Sequence, residues 1–150
     1  MTSTMAIMER RKILFFTDDD SEDLHLMKEI ADSLGHSSEL FHDGHSMISR
    51  LHEDSLTPDV IFLDISMPRI DGFDVLQKIR ASKEKFQNVP IVIHSSNCEE
   101  SCISRCFELG ANYYMTKAYS YKDLLKSLEF AMNRDWQKTR PEREAFLHVH

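Results

Sequence analysis

Polar and charged residues with chemical potential stand where the apolar runs of this chain stop. Asp64 directly follows Val60-Ile61-Phe62-Leu63, and Asp18, Asp19 and Asp20 follow a run that ends at Thr17. Ser95 follows the run that begins at Ile91, and Lys117 follows Tyr113-Tyr114-Met115-Thr116. If these runs are parallel strands, three carboxylates, a hydroxyl and an ammonium meet at one sheet edge, because the binding crevice of such a sheet lies outside the carboxyl ends of its strands. Two unit charges about 4 Å apart repel by roughly 4 kcal/mol at an effective dielectric of about 20, so three close carboxylates need more than the single charge of Lys117. A hard divalent ion with oxygen ligands and retained waters, such as Mg²⁺, supplies the remainder. A carboxylate beside such cations can attack an electrophilic phosphorus while the cations and a hydroxyl stabilise the equatorial oxygens. Asp64 is therefore read as the nucleophile and Ser95 as the hydroxyl. Asp20, Glu22 and Asp71 are read as helix caps or solvated loop charges.

The elements that must position these residues are legible as strands and helices in alternation. Unbroken apolar runs suit strands buried on both faces. They are expected at Lys12–Thr17, weakly at Ser38–Phe41, at Val60–Leu63, at Ile91–Ile93 and at Tyr113–Met115. Leu24, Met27, Ala31 and Leu34 recur at helical spacing, and Gly35 is placed to close that helix in a left-handed cap. Asp43, Asp71 and Ser120 can each cap a later helix, and a further helix runs from about Glu99 to Leu109 before Gly110. Five strands alternating with five helices imply an α/β fold: a five-stranded parallel sheet with helices on both faces. The flavodoxin-like strand order 2-1-3-4-5 is a common solution for such a sheet and is adopted here.

Composition narrows the class. A chain of 150 residues, 41% of them hydrophobic, is expected to form one core. Its formal net charge of −7 argues against a nucleic-acid surface and for a cation or a cationic protein patch as partner. No apolar run approaches the roughly 18 residues of a membrane helix, so no membrane is expected. Glu9, Arg10, Arg11 and Lys12 before a short apolar run do not make a signal peptide, and a cytoplasmic location is expected. Cys98, Cys102 and Cys106 lie four residues apart along one side of a helix, with Cys106 expected in the core and the other two more exposed. They make no CxxC pair, and His42 with His45 and His148 with His150 have no evident partner to complete a metal shell. His94, next to Ser95, is read as a packed or hydrogen-bonded residue near the crevice.

The combination resembles the receiver domains of two-component response regulators over about Lys12 to Asn133. An acidic pair after the first strand, Leu63-Asp64-x-x-Met67-Pro68-x-x-Asp71-Gly72, Ser95 after the fourth strand and Lys117 after the fifth carry the resemblance. It implies Asp64 as phosphoacceptor, Asp18 and Asp19 as the acidic pair that holds Mg²⁺, with Asp19 favoured as the direct ligand, and the Ser66 backbone carbonyl as a further ligand. Ser95 matches the switch hydroxyl and Lys117 the lysine that pairs with the phosphoryl group. Tyr114 matches the aromatic switch position, an ordinary strand aromatic being the equal alternative. Ser66 and Asn97 stand where such domains tune dephosphorylation. Ala118 departs from the family, which usually has proline after this lysine. A cis bond before a residue other than proline costs about 2.5 to 4 kcal/mol, so a trans Lys117–Ala118 peptide and a shifted loop are expected.

The resemblance implies a single-domain signalling switch: an N-terminal arm over 1–11, a receiver domain over 12–133 and a C-terminal tail over 134–150. The phosphoryl group would come from a sensor histidine kinase or a phosphotransfer protein. Output is expected through contact with an as yet unknown downstream protein or through onward transfer, without nucleic acid, because no DNA-binding segment follows. Beyond its own phosphorylation and dephosphorylation, no enzyme activity is expected. The alternatives are an aspartate-nucleophile phosphohydrolase, disfavoured because Asp64-Ile65-Ser66 lacks a second acid, and a receiver-like binding module without phosphorylation. A flavin-binding module is disfavoured because Asp18-Asp19-Asp20 would repel a phosphate.

Overall fold

The computed structural model describes residues 11–53, 56–97, 99–118, 120–136 and 141–148. The expected strands form as β1 (Ile13–Thr17), β2 (Ser37–Phe41), β3 (Val60–Leu63), β4 (Ile91–Ser95) and β5 (Tyr113–Thr116). All pair in parallel in the order β2-β1-β3-β4-β5, and a short sixth strand, β6 (Leu147–His148), lies parallel beyond β5. Every residue of β3 and β4 is buried, as their unbroken apolar runs require, whereas every residue of the edge strand β2 is only half-buried. That explains why β2 is the weakest strand signal in the sequence.

Capping chemistry sets the helix limits. In α1 (Ser21–Ser33) the Asp20 carboxylate accepts the Glu22 and Asp23 N–H groups, and in α2 (Gly44–Leu51) Asp43 accepts that of Ser46. Asp71 and Asp74 form a reciprocal capping box at the start of α3 (Gly72–Ala81), and Ser120 caps α5 (Tyr121–Asn133) by accepting the Asp123 N–H. Helices α1 and α4 (Glu100–Glu108) both end on glycines in the left-handed region, Gly35 at φ 85° and Gly110 at φ 100°. At each, the following N–H reaches back, His36 to the Ala31 carbonyl at 2.9 Å and Ala111 to that of Cys106 at 3.0 Å, which defines the Schellman turn.

Alternate side chains of each strand enter opposite cores. Phe15, Ile61, Leu63, Ile91, Ile93 and Tyr114 pack with α2, α3 and α4, while Leu14, Phe16, Phe62, Val92 and Met115 pack with α1 and α5. The sheet is therefore covered on both faces, as its sequence pattern requires.

Two details differ from the sequence reading. Cys102 is buried, not exposed, with its sulfur 3.5 Å from the Tyr114 hydroxyl, because α4 turns the Cys102–Cys106 side onto β5. Burial also pushes the Cys106 thiol up to about 12, which keeps it protonated and unreactive. The second difference is the segment after Asn133. Trp136 is buried against Tyr113, with ring centroids 5.2 Å apart, and Phe146 is buried against Phe107 and Tyr114. The segment has too little apolar material for a core of its own, but it completes both existing cores. Residues 1–10 of the expected N-terminal arm, Cys98 and His150 lie outside the described residues, as does Tyr119 in the loop expected to shift. The Lys117–Ala118 peptide is trans, as expected.

Phe146→Ala is expected to lower stability by about 3 kcal/mol, a typical cost for truncating a buried aromatic. Urea denaturation measures the loss. Amide exchange at Tyr114, whose N–H donates to the Phe146 carbonyl at 2.9 Å, should accelerate more than exchange in β1.

Candidate functional site

Backbone hydrogen bonds that extend the sheet ladder carry the site residues just past the strand ends. The Asp18 N–H donates to the Phe41 carbonyl at 3.0 Å, the Asp64 N–H to that of Thr17 at 2.9 Å, and the Lys117 N–H to that of Ser95 at 2.9 Å. Each residue is thus tied to the neighbouring strand, and their side chains converge. The Lys117 ammonium lies 2.9 Å from Asp18 Oδ2, 2.9 Å from Asp23 Oδ2 and 3.4 Å from Asp64 Oδ2. Carboxylate oxygens of Asp18, Asp19 and Asp64 all lie within 4.8 Å of one another. Asp18 and Asp64 are 1% and 5% exposed, whereas Asp19 faces solvent.

The loop after β3 is held rigidly beneath this cluster. Met67 and Ile70 are buried, the Gly72 N–H donates to the Ile65 carbonyl at 2.9 Å, and the Ser66 N–H donates to Asp64 Oδ1 at 3.3 Å. Gly72 is required by close approach: a Cβ there would sit 2.5 Å from the Asp64 carbonyl oxygen and 2.6 Å from the Ile65 Cα, both backbone atoms that cannot step aside. This ties the Asp-Gly of the sequence motif to the seating of Asp64.

Electrostatics follow from burial and crowding. Burial raises the Asp18 carboxyl to about 6, with the charge of Asp64 adding to the rise and the Asp20 N–H and Lys117 opposing it. Burial raises Asp64 too, opposed mainly by Lys117. For Lys117, burial disfavours the charge, but Asp23, Asp18 and Asp64 outweigh it and hold the ammonium well above the usual lysine range. Asp18, Asp23 and Asp64 share the Lys117 ammonium and Asp19 adds a fourth carboxylate beside Asp18 and Asp64, so negative charge remains in a half-buried cleft. All-oxygen donors within this spacing fit a hard divalent cation, with Asp18, Asp19 and Asp64 as the side chains able to hold it.

The remaining expected residues cluster around the loop from β4 to α4. Ser95 is buried, and its hydroxyl accepts the Asn97 N–H at 3.1 Å. The Tyr114 ring is fully buried, and its hydroxyl donates to the Asn97 carbonyl at 2.6 Å. The Asn97 side chain accepts the Glu99 N–H at 2.8 Å, so it organises the turn into α4. Ser66 is exposed beside Asp64. His94 is buried in β4, while His42 lies at the surface with Nε2 3.1 Å from the Ser21 hydroxyl. Asp23 is the residue that sequence reasoning missed. Its only signal is an acid in the first turn of α1, which the helix dipole already accounts for.

A parallel sheet with an acidic cluster and a lysine at its carboxyl edge defines a class, and comparison with known proteins agrees with it. Residues 14–129 match the response regulator receiver domain family. Response regulator Rcp1 of Synechocystis is 27% identical over 125 residues, which cover 79% of this chain and 84% of that protein. The transcriptional regulatory proteins RprY of Bacteroides fragilis and TrcR of Mycobacterium tuberculosis are 28% and 30% identical over 92% and 88% of this chain. The chain spans about half the length of these two, 56% and 49%. Among solved structures, the Mn²⁺-bound form of Rcp1 superposes with a TM-score of 0.74 at 26% identity, covering 87% of this chain and 99% of that one. The phosphorylated cyanobacterial phytochrome response regulator RcpA gives a TM-score of 0.74 at 25% identity over 89% and 100%. The chain belongs to the response regulator receiver domain family, whose members work as phosphorylation-dependent signalling switches.

Two outcomes test the geometry. Gly72→Ala is expected to cost more than about 2 kcal/mol, because backbone must move, and urea denaturation reads it. Asp18 supplies the pH test. Its raised value means that its contribution to stability is complete below about 3.8 and lost as pH rises through about 6. In EDTA, Asp18→Asn should therefore match the wild type near the lower value and exceed it by about 1–3 kcal/mol at pH 7.5, measured by thermal melts across pH.

Proposed function

We propose that this chain is a cytoplasmic signalling switch that takes a phosphoryl group onto Asp64 in the presence of Mg²⁺. The observation that carries the reading is the convergence of Asp18, Asp64 and Lys117 around one small volume. One Asp64 oxygen attacks the phosphorus of a phosphohistidine on a sensor kinase or phosphotransfer protein. An oxygen–phosphorus bond forms, the phosphorus–nitrogen bond breaks, and the imidazole leaves with the bond's electron pair. Asp18 and Asp19, Asp64 itself and the Ser66 carbonyl would hold the Mg²⁺, which supplies charge compensation for the phosphoryl oxygens when bound. Lys117 pairs with the transferred group, and Ser95 donates its hydroxyl to it.

Hydrolysis returns the switch to its resting state: water attacks phosphorus, inorganic phosphate leaves and the Asp64 carboxylate is restored. Ser66 and Asn97 set the lifetime of the phosphorylated state from the rim. No substrate is turned over other than the chain's own phosphoryl group. Tyr114, bonded with Ser95 to the same Asn97, reports the event to the face built by α4, β5 and α5, where a downstream protein docks. The receiver unit comprises residues 12–133, and the segment that follows it packs onto that unit through Trp136 and Phe146. Among the described residues no helix is long and apolar enough to cross a membrane.

Incubation with Mg²⁺ and acetyl phosphate is expected to add one phosphoryl group by intact-mass spectrometry, lost in EDTA and in Asp64→Asn. Asp19→Asn should weaken Mg²⁺ binding about tenfold or more. A folded wild-type protein that takes no Mg²⁺-dependent adduct would sink this proposal and leave a receiver-like binding module.

A further inference from the structure

Asp23 stands apart from the other acids around Lys117. It comes from the first turn of α1 rather than from a strand end, and its backbone is fixed there because its N–H donates to the Asp20 cap at 3.3 Å. It is not among the three carboxylates spaced to hold a metal ion. Yet it lies as close to the Lys117 ammonium as Asp18 does, 2.9 Å, and closer than Asp64 at 3.4 Å. Its side chain is 36% exposed against 1% and 6% for those two. An ion pair with one partner in water is the cheapest of the three to break, since little desolvation has been invested in it.

We propose that Asp23 is a positioning residue that holds Lys117 in reserve. It keeps the ammonium paired while a cation occupies Asp18 and Asp64, and releases it when Asp64 is modified. Lys117 donates to two of the three candidate cation ligands, so a cation and the lysine compete for the same oxygens. Asp23 is the partner that remains to the ammonium when the cation wins. Conversely, the ammonium sits on the Asp18–Asp23 side of the pocket and has to loosen that grip to serve a phosphoryl group on Asp64. The same carboxylate thus favours cation entry and opposes capture of the lysine by the adduct. This inference rests on Asp64 being the phosphoacceptor.

The two effects have opposite signs, which a merely structural role would not produce. In Asp23→Asn, Mg²⁺ affinity is expected to fall about two- to fivefold, while beryllofluoride affinity at saturating Mg²⁺ rises by a similar factor, as loss of a part-exposed ion pair allows. Amide shifts in ¹H–¹⁵N spectra read both titrations and show that the variant is folded. Asp23→Glu, which retains a carboxylate, should return both affinities towards the wild type. Affinities that change in the same direction, or a change in one or neither, overturn the inference while wild-type binding of beryllofluoride leaves the phosphoacceptor reading intact. A wild type that binds no beryllofluoride overturns both.

Discussion

Like charge held at close range is the constraint around which this molecule is arranged. Four carboxylates crowd one edge of the sheet, two of them almost wholly buried, and the Lys117 ammonium pairs with three of them. Left alone, such a cluster would be relieved by protonation, and burial does lift Asp18 to about 6. The fold bears the repulsion because backbone hydrogen bonds fix Asp18, Asp64 and Lys117 to neighbouring strands. The stored repulsion makes the edge receptive to a divalent cation. It also makes the lysine's position sensitive to any change of charge on Asp64.

The scaffold that imposes this proximity is simple in physical terms. Strands whose alternate residues feed two cores cannot slip by one residue without exchanging those cores, so their ends are in register. Helix caps then set where each loop begins. Asp20 and Asp71, which neighbour the site in sequence, spend their carboxylates on α1 and α3 and are removed from its chemistry. Gly72 lets the helix that follows Asp64 come down onto the backbone of Asp64 and Ile65, where any side chain would collide.

A second line of contacts runs away from the site. Ser95 and Tyr114 are both bonded to Asn97, and the Tyr114 ring packs near Phe146 of the C-terminal segment. That segment adds β6 to the sheet and buries Trp136 and Phe146 in the two cores. Its described residues therefore belong to the packed body of the protein, with Phe146 beside the tyrosine that is bonded to the β4–α4 loop. Cys102, turned inward by α4, completes the surroundings of the Tyr114 hydroxyl.

The sequence by itself determined the alternation of strands and helices, the caps, the residue types at the strand ends and hence the acidic edge with its lysine. Local rules suffice there, because apolar runs, capping residues and left-handed glycines act within a few residues of themselves. Tertiary structure alone decided which acids share the lysine. Asp19 and Asp20 are adjacent, yet one has a carboxylate oxygen within 4.8 Å of those of Asp18 and Asp64 and the other caps a helix, while Asp23 reaches Lys117 across 94 positions of chain. It also decided that the C-terminal segment is core material. Two buried aromatics and a two-residue strand carry no periodicity of their own, and they acquire meaning only against a sheet that is already built.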